Sequence, residues 1–277
     1  MWAIEKPSVQ AAMSDVEKFR KLGIIDDKDS QALEHLVEQD DQQDGVVSEA
    51  QNNTVSSKGR DALLEHYTDT EKGKELNYIR QELNEGVYKC PYCSIGQPET
   101  LDHYMPKSKY KSLALCRLNL IPMCWGCNRQ KGHTHPFTEY IHPYYLKIPT
   151  GMVFLQADIQ IDNKTLVVCF VIDETALNDK NIAKQLKTHW ANMNMDERLS
   201  KSVINFLHSE VLSESDEEDT IADEIDKLKY RIEKGYGLNN WRSALMRALS
   251  NETKGQNRNS VMEALGHMKR INRNTKI

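Results

Sequence analysis

With 277 residues, the chain is long enough for one large domain or for a small domain with helical extensions. Its 39% hydrophobic and 28% charged residues fit a soluble folded protein, and no apolar run approaches the roughly 18 residues of a membrane span. The start, Met1-Trp-Ala-Ile-Glu-Lys6, lacks the basic and apolar parts of a secretory signal, so a cytoplasmic location is expected, and the net charge of −5 by itself argues against nucleic acid.

In chain order, Val9, Met13, Val16, Phe19 and Leu22 have helical spacing over residues 8 to 22, and Gly23 follows as a stop. Residues 29 to 38 suggest a second short helix. The run from Gln39 through Gly45 to Lys58 is polar and predicts an exposed loop or linker. Residues 59 to 84 predict one or two helices with Leu76, Ile79 and Leu83 on one face.

The next stretch carries the strongest signal: Cys90-Pro-Tyr-Cys93, Leu101-Asp102-His103, and Cys124-Trp-Gly-Cys127-Asn128. Two residues between paired cysteines let a tight turn aim both sulfurs at one ion, and two such turns complete a closed four-sulfur site. In a reducing compartment this pattern favours metal over disulfide. The alternatives are a redox pair, which needs no duplication, and an iron–sulfur cluster. Structural Zn2+ on Cys90, Cys93, Cys124 and Cys127 is the expectation, closed to chemistry and serving the fold. Thirty residues separate Cys93 from Cys124, so something folded should sit inside the loop. Cys116 and Cys169 stand outside the pairs and are expected as core thiols, and Trp125 is expected to pack on the second turn, with a stacking contact to nucleic acid as the alternative.

Charge is unevenly distributed. Residues 86 to 150 hold eight Lys/Arg and three Asp/Glu, and residues 241 to 277 hold eight and two, whereas the first 58 hold six and twelve. The cysteine segment and the C-terminal stretch are basic islands in an acidic chain, which points towards phosphate.

Beyond the cysteines, His133, His135 and His142 are expected to pack or face solvent, with a second metal site as the alternative. An aromatic stretch, Pro136 to Tyr145, precedes two β-rich runs, Val153–Ile161 and Thr165–Ile172, separated by Asp162-Asn-Lys164 as in a hairpin. Residues 179 to 212 predict helix with Trp190, Leu199, Val203, Phe206 and Leu207 as core. The acidic run Ser213–Asp219 predicts a solvated loop or helix start. Three helices should fill 220 to 272, broken at Gly235-Tyr-Gly237 and at 251–259.

Adjacent strand residues point to opposite faces, so an Asp-His pair at a strand end can divide its duties, one side chain towards a metal and the other towards a water. Asp102-His103 followed by Pro106-Lys107, Asn119-Leu120 before the second cysteine pair, and Cys127-Asn128-Arg-Gln-Lys131 after it together resemble the HNH endonucleases, the ββα-metal nucleases, over roughly 90 to 133. The resemblance implies an α+β fold: a zinc-stapled ββα-metal core embedded in a mainly α-helical chain with an additional β hairpin. It divides the chain into a helical region 1–85 with a polar linker near 39–58, a nuclease module 86–150, and a hairpin plus helical region 151–277.

The resemblance also implies roles. His103 would be the general base, Asp102 and Asn128 ligands of a catalytic divalent metal, and Asn119 a structural tie orienting His103. Lys107 and Lys131 would contact nucleic acid. Asn128 stands where the family often has His, and its oxygen suits Mg2+ or Mn2+. The implied activity is hydrolysis of DNA phosphodiester bonds; a catalytically silent zinc-dependent nucleic-acid-binding or scaffold subunit is the alternative. The segment from His142-Pro-Tyr-Tyr145 into the hairpin resembles bacterial HNH proteins that include Septu-like phage-defence pairs, which implies an antiphage effector with an ATPase partner.

Overall fold

In a computed structural model, residues 3–132, 135–149, 151–212 and 221–275 are described, the side chains of 271–275 excepted. The expectations for His133 and for the acidic run 213–219 lie outside the described residues. The chain forms two compact units, Trp2–Lys147 and Ile148–Ile277. No helix is long and apolar enough to cross a membrane among the described residues.

The first unit begins with α1 (Val9–Lys21), whose first turn is capped by the Ser8 hydroxyl accepting from the Ala11 amide at 3.1 Å. Helix α2 (Asp27–Gln42) extends beyond the expected 29–38 at both ends. Asp26 caps it by accepting from the Asp29 amide, and Leu33, Leu36, Val37 and Asp40 carry its buried face to the last turn. Residues 39–58, expected as an exposed loop or linker, are mostly exposed but follow a partly helical course. They hold the end of α2, the capped single turn α3 (Glu49–Asn52) and the start of α4 (Ser57–Glu65), and Asp40, Val47, Asn52 and Val55 are buried. Two of the inward polar side chains in and around this stretch have partners. Asn52 accepts from the Ser112 amide, its carbonyl accepts from the Ser112 hydroxyl, and Asp29 accepts from the amide and hydroxyl of Ser56. A 3-10 turn at His66–Thr70 leads to α5 (Asn77–Asn84), which buries Ile79 and Leu83, with Leu76 buried just before it.

Next come β1 (Thr100–His103), β2 (Leu120–Met123) and α6 (Trp125–Lys131). The strands pair antiparallel, with Thr100 opposite Met123 and His103 opposite Leu120. This is the expected ββα unit, and the aromatic stretch after it has a clear purpose. Tyr140 Oη donates to the Lys131 carbonyl, Tyr144 Oη to the Leu120 carbonyl, and Tyr104 Oη to the Tyr140 carbonyl. The segment is a strap whose phenols satisfy backbone carbonyls while their rings fill the interior.

In the second unit, β3 (Leu155–Asp162) pairs antiparallel with β4 (Thr165–Ile172). Asn163 and Lys164 both have positive φ, which closes the two-residue turn in the handedness that matches strand twist. The helices are α7 (Lys180–Asn192), α8 (Met195–Phe206), which runs on into a π turn at Leu207–Val211, α9 (Ile221–Tyr236), α10 (Trp241–Glu252) and α11 (Arg258–Thr275). Trp190, Leu199, Val203, Phe206 and Leu207 are buried as expected. Of the two cysteines outside the pairs, Cys116 is buried, but Cys169 is exposed because strand alternation turns it to the outer face of β4. The C-terminal basic island is partly internal: Arg247 donates to Glu233 and to the Leu155 and Leu238 carbonyls.

Candidate active site

The two cysteine turns converge as their spacing requires. One ligand atom from each of Cys90, Cys93, Cys124 and Cys127 lies within 4.8 Å of all the others, and all four residues are buried. The Cys93 and Cys124 sulfurs are 3.7 Å apart. A tetrahedral zinc ion with bonds of about 2.3 Å sets its sulfurs about 3.8 Å apart, so the donor set fits that ion. The Ile95 amide points at Cys93 Sγ and the Cys127 amide at Cys124 Sγ, both at 3.4 Å, which stabilises negative sulfur. Gly96 is required here: a Cβ at this position would lie 2.9 Å from the Cys124 Cβ. Hydrogen bonds from neighbouring sulfurs, chiefly Cys124, push the Cys93 thiol down, while Cys90 and Cys127 are pushed up. Four sulfurs so close cannot all ionise without a cation between them. Among the described residues this is the one cluster of three or more His, Cys, Asp and Glu suited to a metal. Trp125 does not pack on the turn as expected; it is 58% exposed, with the Arg129 guanidinium 5.3 Å from its ring.

A cavity of about 760 Å3 opens beside this clamp, and Asp102, His103, Lys107, Asn128 and Lys131 all line it. Side chains alternate along β1, so Thr100 and Asp102 project to one face and Leu101 and His103 to the other, where both are buried. The His103 ring packs against Tyr67 at 4.5 Å between ring centres in a tilted arrangement, and the Tyr67 hydroxyl donates to the Leu101 carbonyl at 2.7 Å. His103 Nε2 is 2.9 Å from the Ala114 carbonyl. A carbonyl only accepts, so Nε2 carries the proton and Nδ1 keeps its lone pair. Burial, aided by the nearby Lys107 and Lys131 charges, pushes the ring's pKa down to about 3, so at neutral pH it is an uncharged proton acceptor.

Asn119 is a tie between loops. Its Oδ1 accepts from the Met105 amide at 2.7 Å, and its Nδ2 donates to the Met105 and Leu113 carbonyls at 3.2 Å. It thereby joins the chain just after His103 to the segment that carries Ala114. On α6, Asn128 Nδ2 donates to Thr100 Oγ1 at 2.9 Å, and that hydroxyl donates to the Met123 carbonyl. This orients the amide and makes Oδ1 the side chain's acceptor atom. Asp102 and Asn128 are both oxygen donors of the kind a hard divalent cation takes.

The two lysines part company. Lys107 is half-buried at the cavity wall, its ammonium 4.1 Å from the Tyr67 ring centre. Burial pushes its pKa down, against the pull of Asp102. Lys131 corrects the expectation of a nucleic-acid contact. It is buried, and its ammonium donates to Asp102 Oδ2 at 2.5 Å, to the His103 carbonyl at 2.6 Å and to the Tyr104 carbonyl at 3.3 Å. All three donors are committed inside the protein.

Sequence reasoning missed Tyr67 and Arg80, both in the cavity wall. They arrive from the helical region before the cysteines, where no motif marks them. His135 lines the cavity and lies 3.5 Å from Glu139. His142 is buried against Tyr104 and Tyr145 at ring distances of 4.1 and 4.7 Å, as a packing histidine.

Two cysteine turns thus staple a ββα unit that carries an Asp-His pair at the end of its first strand and an Asn on its helix. Residues 90–134 match the family model of the HNH endonucleases, and the chain carries an HNH endonuclease domain there. A segment of 61 residues, 20% of the chain, is 39% identical to protein ea31 of Escherichia phage lambda. The chain spans about a fifth of that relative, 21% of its length. No solved structure matches the chain.

Proposed function

We propose that the protein is a metal-dependent endonuclease that hydrolyses DNA phosphodiester bonds, with His103 as general base. The observation that carries this is the convergence of Asp102, His103 and Asn128 on one cavity beside the cysteine clamp. His103 Nδ1 takes a proton from water, and the hydroxide oxygen forms a bond to phosphorus as the bond to the leaving 3′-oxygen breaks. A phosphodiester bound beside the ring adds negative charge, which raises the proton affinity that burial depresses. Tyr67 and the Ala114 carbonyl hold the ring in one orientation and tautomer. Asp102 and Asn128 would hold Mg2+ or Mn2+, which when bound supplies Lewis-acid neutralisation of the charge developing on phosphate. Lys107 is suited to attract a phosphate to the cavity.

The test is plasmid nicking by purified protein, alone and with the neighbouring gene product, with a series of divalent ions; DNA left intact in both arms with Mg2+ and with Mn2+ would overturn the reading. The silent binding or scaffold subunit is disfavoured by the retention of Asp102, His103 and Asn128 together. The proposal extends to a phage-defence effector acting with an ATPase partner, for which the large unit Ile148–Ile277 offers docking surface. Its test is co-purification with the neighbouring gene product, and a nuclease that is fully active alone, with no ATPase gene nearby, would count against it.

A further inference from the structure

The Lys131 ammonium is buried, although burying a charge costs several kcal/mol even with a partner. A methionine would fill the same space without that cost, so what the charge holds in place is the question. Three facts show what it positions. Its three N–H groups meet three acceptors: Asp102 Oδ2 and the carbonyls of His103 and Tyr104. Those acceptors are consecutive along the chain at the end of β1, so one cation grips three successive residues. Lys131 also lies one helical turn beyond Asn128, and residues three apart share a helix face. That face meets β1 twice, Asn128 at Thr100 and Lys131 at Asp102.

We propose that Lys131 is a positioning residue of the active site: its ammonium locks Asp102 and the backbone of His103 and Tyr104 to α6, so that metal ligand and base are held in register with Asn128. The proposal rests on the HNH reading of the same cavity. Lys131 could instead be a competitor, its ammonium standing where a divalent cation would bind. The geometry disfavours this, because the ammonium also binds two backbone carbonyls and its side chain is only 6% exposed, walled by the Tyr104 and Tyr140 rings at 5.9 Å. A catalytic cation must remain open to substrate and water.

The two roles predict opposite changes. In the full-length, zinc-loaded protein, Mn2+ binding is measured by electron paramagnetic resonance beside the rate of DNA nicking, with zinc content and circular dichroism recording the fold. Positioning predicts that Lys131→Met weakens Mn2+ binding by about tenfold or more, the usual loss when a ligand's supporting partner is removed. Zinc should be retained, and Lys131→Arg should recover part of the affinity. In an Asp102→Asn background, Lys131→Met should change Mn2+ binding less than about twofold, since the partner through which it acts is already altered. Folded Lys131→Met with unchanged or tighter Mn2+ binding overturns the proposal, tighter binding favouring the competitor. If Lys131→Met does not fold, Lys131→Gln replaces it in the same comparison; if neither folds, the lysine is a structural residue and the proposal fails. A wild-type protein that binds no Mn2+ overturns the parent reading and this one with it.

Discussion

Arg117 donates to Asp15 through both Nε and Nη2, at 2.6 and 2.8 Å, across 102 residues of sequence. Both side chains are 5% exposed. Tyr78 Oη donates to Asp15 Oδ1, and Arg117 Nη1 donates to Glu82, so α1, α5 and the loop before β2 meet in one network. Removing one partner of such a buried pair strands the other charge. Asp15→Ala is therefore expected to cost about 3–5 kcal/mol of unfolding free energy, measured by urea denaturation. The double replacement Asp15→Leu with Arg117→Met should recover much of that loss, and two equally unstable variants would contradict the account.

Zinc removal should be a folding event. The thiol cluster joins Cys90 and Cys93 to the start of α6, and a structural zinc supplies folding free energy to a module of this size. Cys93→Ser, or a strong chelator, should release the metal, collapse the ellipticity of the ββα region and abolish nicking. Excess Mg2+ should restore none of this, since a hard cation does not replace zinc on thiolates. Retained structure after quantitative zinc loss would refute this.

Substitution of the proposed base should separate chemistry from fold. His103→Ala is expected to lower the cleavage rate by about 10²–10⁴, the usual contribution of a positioned base, with zinc content unchanged. Asn119→Ala should also reduce cleavage, but with a loss of about 1–3 kcal/mol in stability, because it leaves the buried Met105 amide without its partner. The comparison is made from rates and melting curves on the same preparations.

Asp40 predicts a pH dependence of stability remote from the cavity. It is fully buried, and neither carboxylate oxygen has a hydrogen-bond partner among the described residues. Burial first, and the adjacent Asp41 second, push its pKa up to about 7, against the opposing pull of Lys6. A carboxyl raised in the folded state binds its proton more tightly there than when unfolded. Stability from this group is thus full at acid pH and falls as pH rises from about 4 through about 7. Charging so buried a group costs at most about 4 kcal/mol, from three pKa units at about 1.4 kcal/mol each. Asp40→Asn should flatten this slope and raise the melting temperature at pH 8 relative to the parent. An unchanged slope would assign the dependence elsewhere.

Much of the site was legible from the chain because its signals are local. A Cys-x-x-Cys turn needs only its own residues to aim two sulfurs, and adjacent strand positions alone send Asp102 and His103 to opposite faces. The hairpin Leu155–Ile172 was legible for the same reason, since alternation and two turn residues suffice. The buried positions in and around 39–58 were not legible, because polar composition says nothing of partners. Asn52 and Asp29 are polar yet buried, since Ser112 and Ser56 from elsewhere in the chain satisfy them.

Sequence alone thus supplied the candidates for chemistry, an imidazole, a carboxylate and an amide, beside four sulfurs whose convergence the fold bears out. Tertiary structure decided which way they face. The Ala114 carbonyl sets the His103 tautomer, Thr100 turns the Asn128 amide, and Tyr67 closes a wall from a helical segment with no motif. It also turned Lys131 from an expected surface contact into an internal clamp. A lysine's role depends on what covers it, and here the cover is the aromatic strap and the end of β1, which only the folded chain brings together.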